Sequence, residues 1–300
     1  MRTLWKALGA AVLLLLGIGY FFTNKMMYIK KKTDEEILAR EAGVHFDPKE
    51  LDAQPKEEAW ISSPFGYDIH GWYMPGPRPD RIMVFCHGVT VNKWNSVKYS
   101  RLFLQRGFSV FLYDHRRHGQ SGGSTTSYGY YEKYDLQAVM HWLRQRFGEE
   151  SVIGIHGESM GAATLLQYAG EVEDGADFYI ADCPFSDFYE QLSHRLQVEF
   201  KLPEKPLLPL ANLILKLRDG YKVQDVSPIR CVRHIQKPVL FIHSQEDDYI
   251  SCRMTEELYE QKKGPKMLFL PEKGGHALSY AENKEAYEEA VDRFLQQYVL

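Results

Sequence analysis

The chain has 300 residues, 44% of them hydrophobic and 25% charged, with a net charge of −4. That balance supplies ample core for a globular protein and excludes the basic footprint of a nucleic-acid binder. Four cysteines, Cys86, Cys183, Cys231 and Cys252, are widely spaced with no C-x-x-C pair, which excludes a zinc ribbon or a disulfide framework.

The first segment is "ALGAAVLLLLGIGYFF", residues 7 to 22, with Arg2 and Lys6 before it and Lys25 and Lys30 to Lys32 after it. The run exceeds a signal-peptide core and approaches the ~20 residues of a membrane span, and Leu4 and Trp5 extend it if Lys6 snorkels. No small-x-small cleavage site follows. An uncleaved anchor over residues 1–24 is therefore the expectation, with a signal peptide or a buried helix as alternatives. Bases flank both ends, so charge asymmetry assigns no membrane side. Residues 25–55 are polar and read as a tether with one short helix, capped by Thr33 and ended by Gly43.

From residue 56 onward strand and helix patterns alternate. "EEAWISS" and "YDIHGWYM", separated by Pro64-Phe65-Gly66, predict an antiparallel hairpin. "RIMVFCHG", "SVFLYDH", "VIGIHG", "FYIADC", "VLFIHS" and "MLFLPE" are nearly continuous apolar runs, as in strands covered on both faces. Helical patterns fall at 95–106, 133–147, 159–170, 255–263 and 282–298. The expected fold is a doubly wound α/β domain, residues 56–300, of about eight mostly parallel strands. About fifty residues separate "FYIADC" from "VLFIHS", far more than one crossover needs. Two helices in this stretch, the second markedly apolar, predict a cap over 186–235 at the carboxyl edge of the sheet, where ligands bind in such folds.

The stretch "VIGIHGESMGAATLL" places Ser159 between Gly157 and Gly161 at a strand-to-helix turn. A turn this sharp strains the apex residue and needs small neighbours. It also aims the unpaired N–H groups of the next helix at whatever precedes it. A serine there is an exposed hydroxyl beside a site for negative charge, the nucleophile elbow. The bland alternative is a serine that merely caps the helix. A hydroxyl needs a base that a third group orients, in the order Ser, acid, His. Of the downstream histidines, His194 lies in the cap, His234 leads into a strand and His243 lies within one. His276, in the glycine-rich loop of "PEKGGHALSY", is placed to reach the elbow. The acid has five candidates at strand ends: Glu246, Asp247 and Asp248 in "HSQEDDYIS", and Asp182 and Asp187 in "ADCPFSD". Asp247 is preferred and Asp182 is the alternate, while Asp187 fits a helix cap. Oxyanion donors are expected from the backbone N–H groups of Met160 and of Val89 in "CHGVT", with Gly88 allowing close approach.

Together, "FCHGVT", "LYDHRRHGQSGG", "GIHGESMGAATLL", "HSQEDDYIS" and "GGHA" resemble the α/β-hydrolase superfamily over residues 56–300. The likeness is to its serine-hydrolase branch of serine aminopeptidases, monoglyceride lipases and prolyl-oligopeptidase-type domains, and to small bacterial hydrolases with an N-terminal hydrophobic segment. The family pattern H-G-x-x-D-x-x-V-P aligns with His243, Ser244, Asp247, Ile250 and Ser251, departing at Ser244 and Ser251. The resemblance thus implies Asp247 as the acid. It gives Asp114, Arg116, Gly119 and Ser121 a structural role in the loop after the fourth strand. His115 and His118 lack a third ligand in the sequence, so no metal is expected, and no cofactor. The implied activity is hydrolysis of a small-molecule carboxylic ester through an acyl-enzyme. Peptidase activity and a non-catalytic binding protein are the alternatives.

Overall fold

The structure, a computed structural model, describes residues 1–41 and 54–300. Gly43 and the middle of the polar stretch lie outside the described residues.

Eight strands form one sheet: β1 (Glu57–Ser62), β2 (Asp68–Met74), β3 (Arg78–Cys86), β4 (Phe108–Tyr113), β5 (Val152–Glu158), β6 (Phe178–Asp182), β7 (Val239–Ile242) and β8 (Lys266–Phe269). Their order is β1-β2-β4-β3-β5-β6-β7-β8. β2 is antiparallel to β1 and β4, and the remaining pairs are parallel. The helices are α1 (Arg2–Met27), α2 (Asp34–Glu41), α3 (Lys93–Leu104), α4 (Glu132–Phe147), α5 (Met160–Gln167), α6 (Phe188–Phe200), α7 (Glu204–Asp219), α8 (Pro228–Cys231), α9 (Cys252–Gln261), α10 (Ser279–Glu282) and α11 (Lys284–Tyr298).

The two-residue period of β3 shows why the sheet is covered twice. Ile82, Val84 and Cys86 enter a core with α4, α5 and α9, while Met83 and Phe85 enter a second core with α3 and α11. Side chains alternate across a strand, so a run apolar at every position needs helices on both faces. Asn92 starts α3 by accepting from Trp94 N–H, and Asp187 starts α6 by accepting from Tyr189 and Glu190 N–H. Gly148 and Gly220, with φ of 94° and 82°, follow the ends of α4 and α7.

The expected start of α2 is present as a reciprocal cap: Glu36 N–H donates to Thr33 Oγ1 at 3.2 Å and Thr33 N–H to Glu36 Oε2 at 2.8 Å. α2 lies on the α/β body, with Ile37 fully buried and Arg40 bonded to Asn95 of α3.

α1 differs from a freely standing anchor. One face, at Ile18, Gly19, Phe22, Thr23, Met26 and Met27, is turned inward at helical spacing, and it packs on α6 and α7. A Cβ at Gly19 would stand 2.6 Å from Ile214 Cδ1, so the absent side chain lets the two helices approach. Arg218 of α7 donates to Thr23 Oγ1 at 2.8 Å. The opposite face leaves Leu13, Leu14, Tyr20 and Phe21 exposed. Among the described residues no helix is long and apolar enough to cross a membrane, so the expected transmembrane helix finds no support.

Candidate active site

β5 runs into α5 through Ser159, whose φ of 56° and ψ of −114° lie outside the regions open to most L-residues. The flanking glycines are explained by contact. A Cβ at Gly157 would fall 2.5 Å from the Gly161 carbonyl, and one at Gly161 would fall 2.0 Å from the Cys86 carbonyl oxygen. No side chain fits at either place, so the turn, its helix and the end of β3 close on one another. Ser159 N–H is held by the Asp182 carbonyl at 2.8 Å.

The loop after β8 brings His276 to this apex. Ser159 Oγ lies 2.8 Å from His276 Nε2, and His276 Nδ1 lies 2.7 Å from Asp247 Oδ2. Asp247 is fixed on every side. Its Oδ1 accepts from Tyr249 and Ile250 N–H at 2.9 and 3.0 Å, and Oδ2 also meets His243 Nε2 at 3.0 Å. Burial alone would raise this carboxyl; the bonds from His243 and His276 outweigh it and hold it well below the usual carboxylate range. The structure thus brings Ser159, His276 and Asp247 into one chain of hydrogen bonds. Such a chain can draw a proton from the hydroxyl to an imidazole of fixed tautomer.

The other candidates stand elsewhere. His194 and His234 are exposed, and His243 is buried between Thr255 Oγ1 and Asp247. Glu246 accepts from Gly274 N–H and so ties down the loop of His276. Asp187 caps α6, and Asp248 is exposed. Asp182, the alternate acid, is buried and accepts from Tyr287 Oη at 3.1 Å. Burial, then the nearby Glu158 charge, raises its pKa to about 7.

Met160 is buried at the first position of α5, and Val89 lies in the same apolar cluster. A Cβ at Gly88 would stand 3.7 Å from Ser159 Cβ, which sets the loop after β3 directly against the hydroxyl. Strain gathers around this point. Thr90 (φ 71°), Cys183 (φ 46°) and Ala277 (φ 61°) follow Val89, Asp182 and His276 respectively, and non-glycine residues in this region cluster at functional sites.

The loop after β4 is held by the carboxylate at its start. Asp114 accepts from Lys93 N–H, Lys93 Nζ and Gln120 N–H at 2.9, 2.6 and 3.0 Å. Gly119 is required because a Cβ would meet the Asp114 carboxylate at 2.2 Å. Arg116 lies over the Tyr131 ring, and Ser121 Oγ donates to the Asp114 carbonyl. His87, His115 and His118 pack ring to ring, and burial pushes all three down to about 3.

One group with metal-ligand chemistry occurs among the described residues, Cys183, Asp247 and His276, with ligand atoms within 4.8 Å of one another. Asp247 and His276 already bond each other, and burial raises the Cys183 thiol far above its ordinary value. A protonated thiol beside a closed carboxylate–imidazole pair is a poor cradle for a cation.

Sequence reasoning missed a second polar layer behind the elbow. Glu158, between Gly157 and Ser159, pairs with buried Lys98 at 2.6 Å and accepts from Asn95 and Tyr99 at 2.8 Å each. Burial would raise its carboxyl, but Lys98 brings it down to about 2. The available signal was an acid at the end of an otherwise apolar strand. Tyr249 was also missed: its ring lies 5.0 Å from that of His276.

Known proteins share this fold. The model of the alpha/beta hydrolase fold matches residues 81–206. The uncharacterized protein YqkD of Bacillus subtilis (strain 168) is 52% identical over 298 residues, covering 98% of this chain and 97% of that one. A lysophosphatidylserine lipase, ABHD12 of Macaca fascicularis, is 26% identical over 59% of this chain and 44% of its own length. Among solved structures, the Pyrococcus furiosus esterase Pf2001 superposes with a TM-score of 0.68 at 24% identity, over 85% of this chain and 97% of that one. An eight-stranded sheet with a strained serine between glycines, a matching family model and a relative of nearly the same length place this chain in the α/β-hydrolase family.

Proposed function

We propose that the protein is a serine hydrolase that cleaves carboxylic esters. The observation that carries this reading is the bonded line Ser159–His276–Asp247, ending in a hydroxyl on a strained turn. Ser159 Oγ attacks the acyl carbon as its proton passes to His276 Nε2. The N–H groups of Val89 and Met160 stabilise the oxyanion. The tetrahedral adduct collapses, the alcohol leaves with the proton from His276, and an acyl-serine remains. Water then attacks the acyl carbon, giving its proton to His276, and the carboxylic acid departs as that proton returns to Ser159. Asp247 keeps the imidazole proton on Nδ1 throughout.

Ester rather than peptide cleavage is supported by the apolar lining of the cap and by likeness to a lysophosphatidylserine lipase. In this reading residues 56–300 are the hydrolase domain, 186–235 its cap, and the exposed apolar face of α1 rests on a membrane. The exposed Leu213 and Leu217 of α7 extend that face. The test is a panel of p-nitrophenyl esters beside aminoacyl anilides, with wild type and Ser159→Ala. Ester turnover that vanishes in Ser159→Ala is expected. Strong preference for anilides overturns the ester assignment, and full ester activity in Ser159→Ala overturns the serine mechanism.

A further inference from the structure

A cavity of about 170 Å³ lies where α1 meets the cap. Phe22 and Met26 of α1 line one side, Leu196 of α6 and Leu208 and Ala211 of α7 line the others, and Tyr249 also contributes to the lining. Lys25, Arg195 and Glu199 also line the cavity. Arg195 and Glu199 are paired with each other, and Lys25 lies against the Phe200 ring.

Ser159 and His276 do not line the cavity, and two of its lining residues, Tyr249 and Tyr128, stand between it and them. Tyr249 lies against the His276 ring, and Tyr128, also in the lining, shares an apolar cluster with Met26, Met160 and Val89. Tyr128 is itself held at φ 56° with its hydroxyl on the Met26 carbonyl. The end of α1 is tied to the same place. Thr126 N–H donates to the Met27 carbonyl at 3.0 Å, and Lys32 N–H donates at 2.8 Å to the carbonyl of Thr90, the residue after Val89. A mostly apolar hollow whose lining reaches Tyr249, the ring against His276, suits hydrocarbon.

We propose that this cavity receives the acyl chain of the ester, and that α1 is a wall of the substrate site as well as the apolar outer face of the molecule. The assignment rests on the ester-hydrolase reading above. A volume of about 150 Å³ accommodates benzene in a protein cavity, so by volume this one accommodates an unbranched chain of about six to eight carbons. A helix that touches lipid on one face and lines the acyl pocket with the other places the pocket beside the phase in which such chains dissolve.

The experiment measures kcat/KM of the full-length protein on p-nitrophenyl esters from acetate to dodecanoate. Wild type is expected to gain about fourfold per methylene, the equivalent of burying one CH₂, until the cavity is full near octanoate. Ala211→Phe fills the cavity, and the octanoate-to-acetate ratio should fall at least tenfold. Phe22→Ala enlarges it from the α1 side, and the dodecanoate-to-octanoate ratio should rise threefold or more. Should Ala211→Phe fail to fold, Phe22→Ala decides by its own ratio. Unchanged length profiles in variants that still react with a short-chain fluorophosphonate overturn the pocket and leave the ester reading standing. A wild type that takes the fluorophosphonate but cleaves no ester of the series overturns the ester reading, and this assignment with it.

Discussion

Asp247→Asn separates a proton-directing carboxylate from a merely polar neighbour. The native Oδ1 accepts two backbone N–H bonds, from Tyr249 and Ile250. An asparagine must keep its carbonyl oxygen there, because turning the amide over would set NH₂ against two N–H donors. Its NH₂ group therefore takes the place of Oδ2, 2.7 Å from His276 Nδ1. A donor in that place forces the imidazole proton onto Nε2, the atom that faces Ser159 Oγ at 2.8 Å. The base is then blocked while the shape of the site is kept. Where the same tautomer change has been made in a serine protease, it costs about 10⁴ in kcat, or roughly 5 kcal/mol of transition-state stabilisation. We expect a loss of about 10³ to 10⁴ in kcat on a p-nitrophenyl ester, with a cooperative thermal transition retained. A folded Asp247→Asn protein within tenfold of wild type would refute the reasoning, as would a larger loss from Asp182→Asn.

Three further outcomes follow from the packing. Glu158→Gln removes the carboxylate paired with buried Lys98, leaving Glu41 as its acidic neighbour, and denaturant titration should show a loss of about 3 kcal/mol. Gly161→Ala drives a Cβ into the Cys86 carbonyl, whereas Gly88→Ala meets Glu158 only at an ordinary 3.5 Å. Calorimetry should find the first destabilised by about 3 kcal/mol or more and the second close to wild type. Asp182 keeps its proton in the fold up to about pH 7, while the unfolded chain releases it near its ordinary 3.8. The native state therefore binds the extra proton between those values, and stability falls as pH rises through that window, by up to about 4 kcal/mol. Asp182→Asn should flatten this slope in melts from pH 4 to pH 8; an unaltered slope would show that another group sets it.

Much of this architecture is legible in the residues. The apolar runs of β3 to β8 and the antiparallel start of the sheet are encoded in strand periodicity. The pair Gly157 and Gly161 announces a turn whose contacts admit no Cβ. Choosing among five carboxylates was harder, because chain distance does not say which turn faces a carboxyl inward. That choice depends on the N–H groups of Tyr249 and Ile250 and on His243, which meet Asp247 only in three dimensions. The placement of α1 was also hidden. A helix apolar all round has no stripe to reveal its partner, and Gly19, where α7 comes close, looks from sequence like any small residue in a hydrophobic run.

The central claim is that the hydroxyl of Ser159 is activated as a nucleophile. Treating the folded full-length protein with a fluorophosphonate and mapping the adduct by peptide mass spectrometry tests it most directly. A single adduct is expected, on Ser159, absent from Ser159→Ala and strongly slowed in Asp247→Asn. No adduct on folded wild type, or one that persists in Ser159→Ala, contradicts that claim.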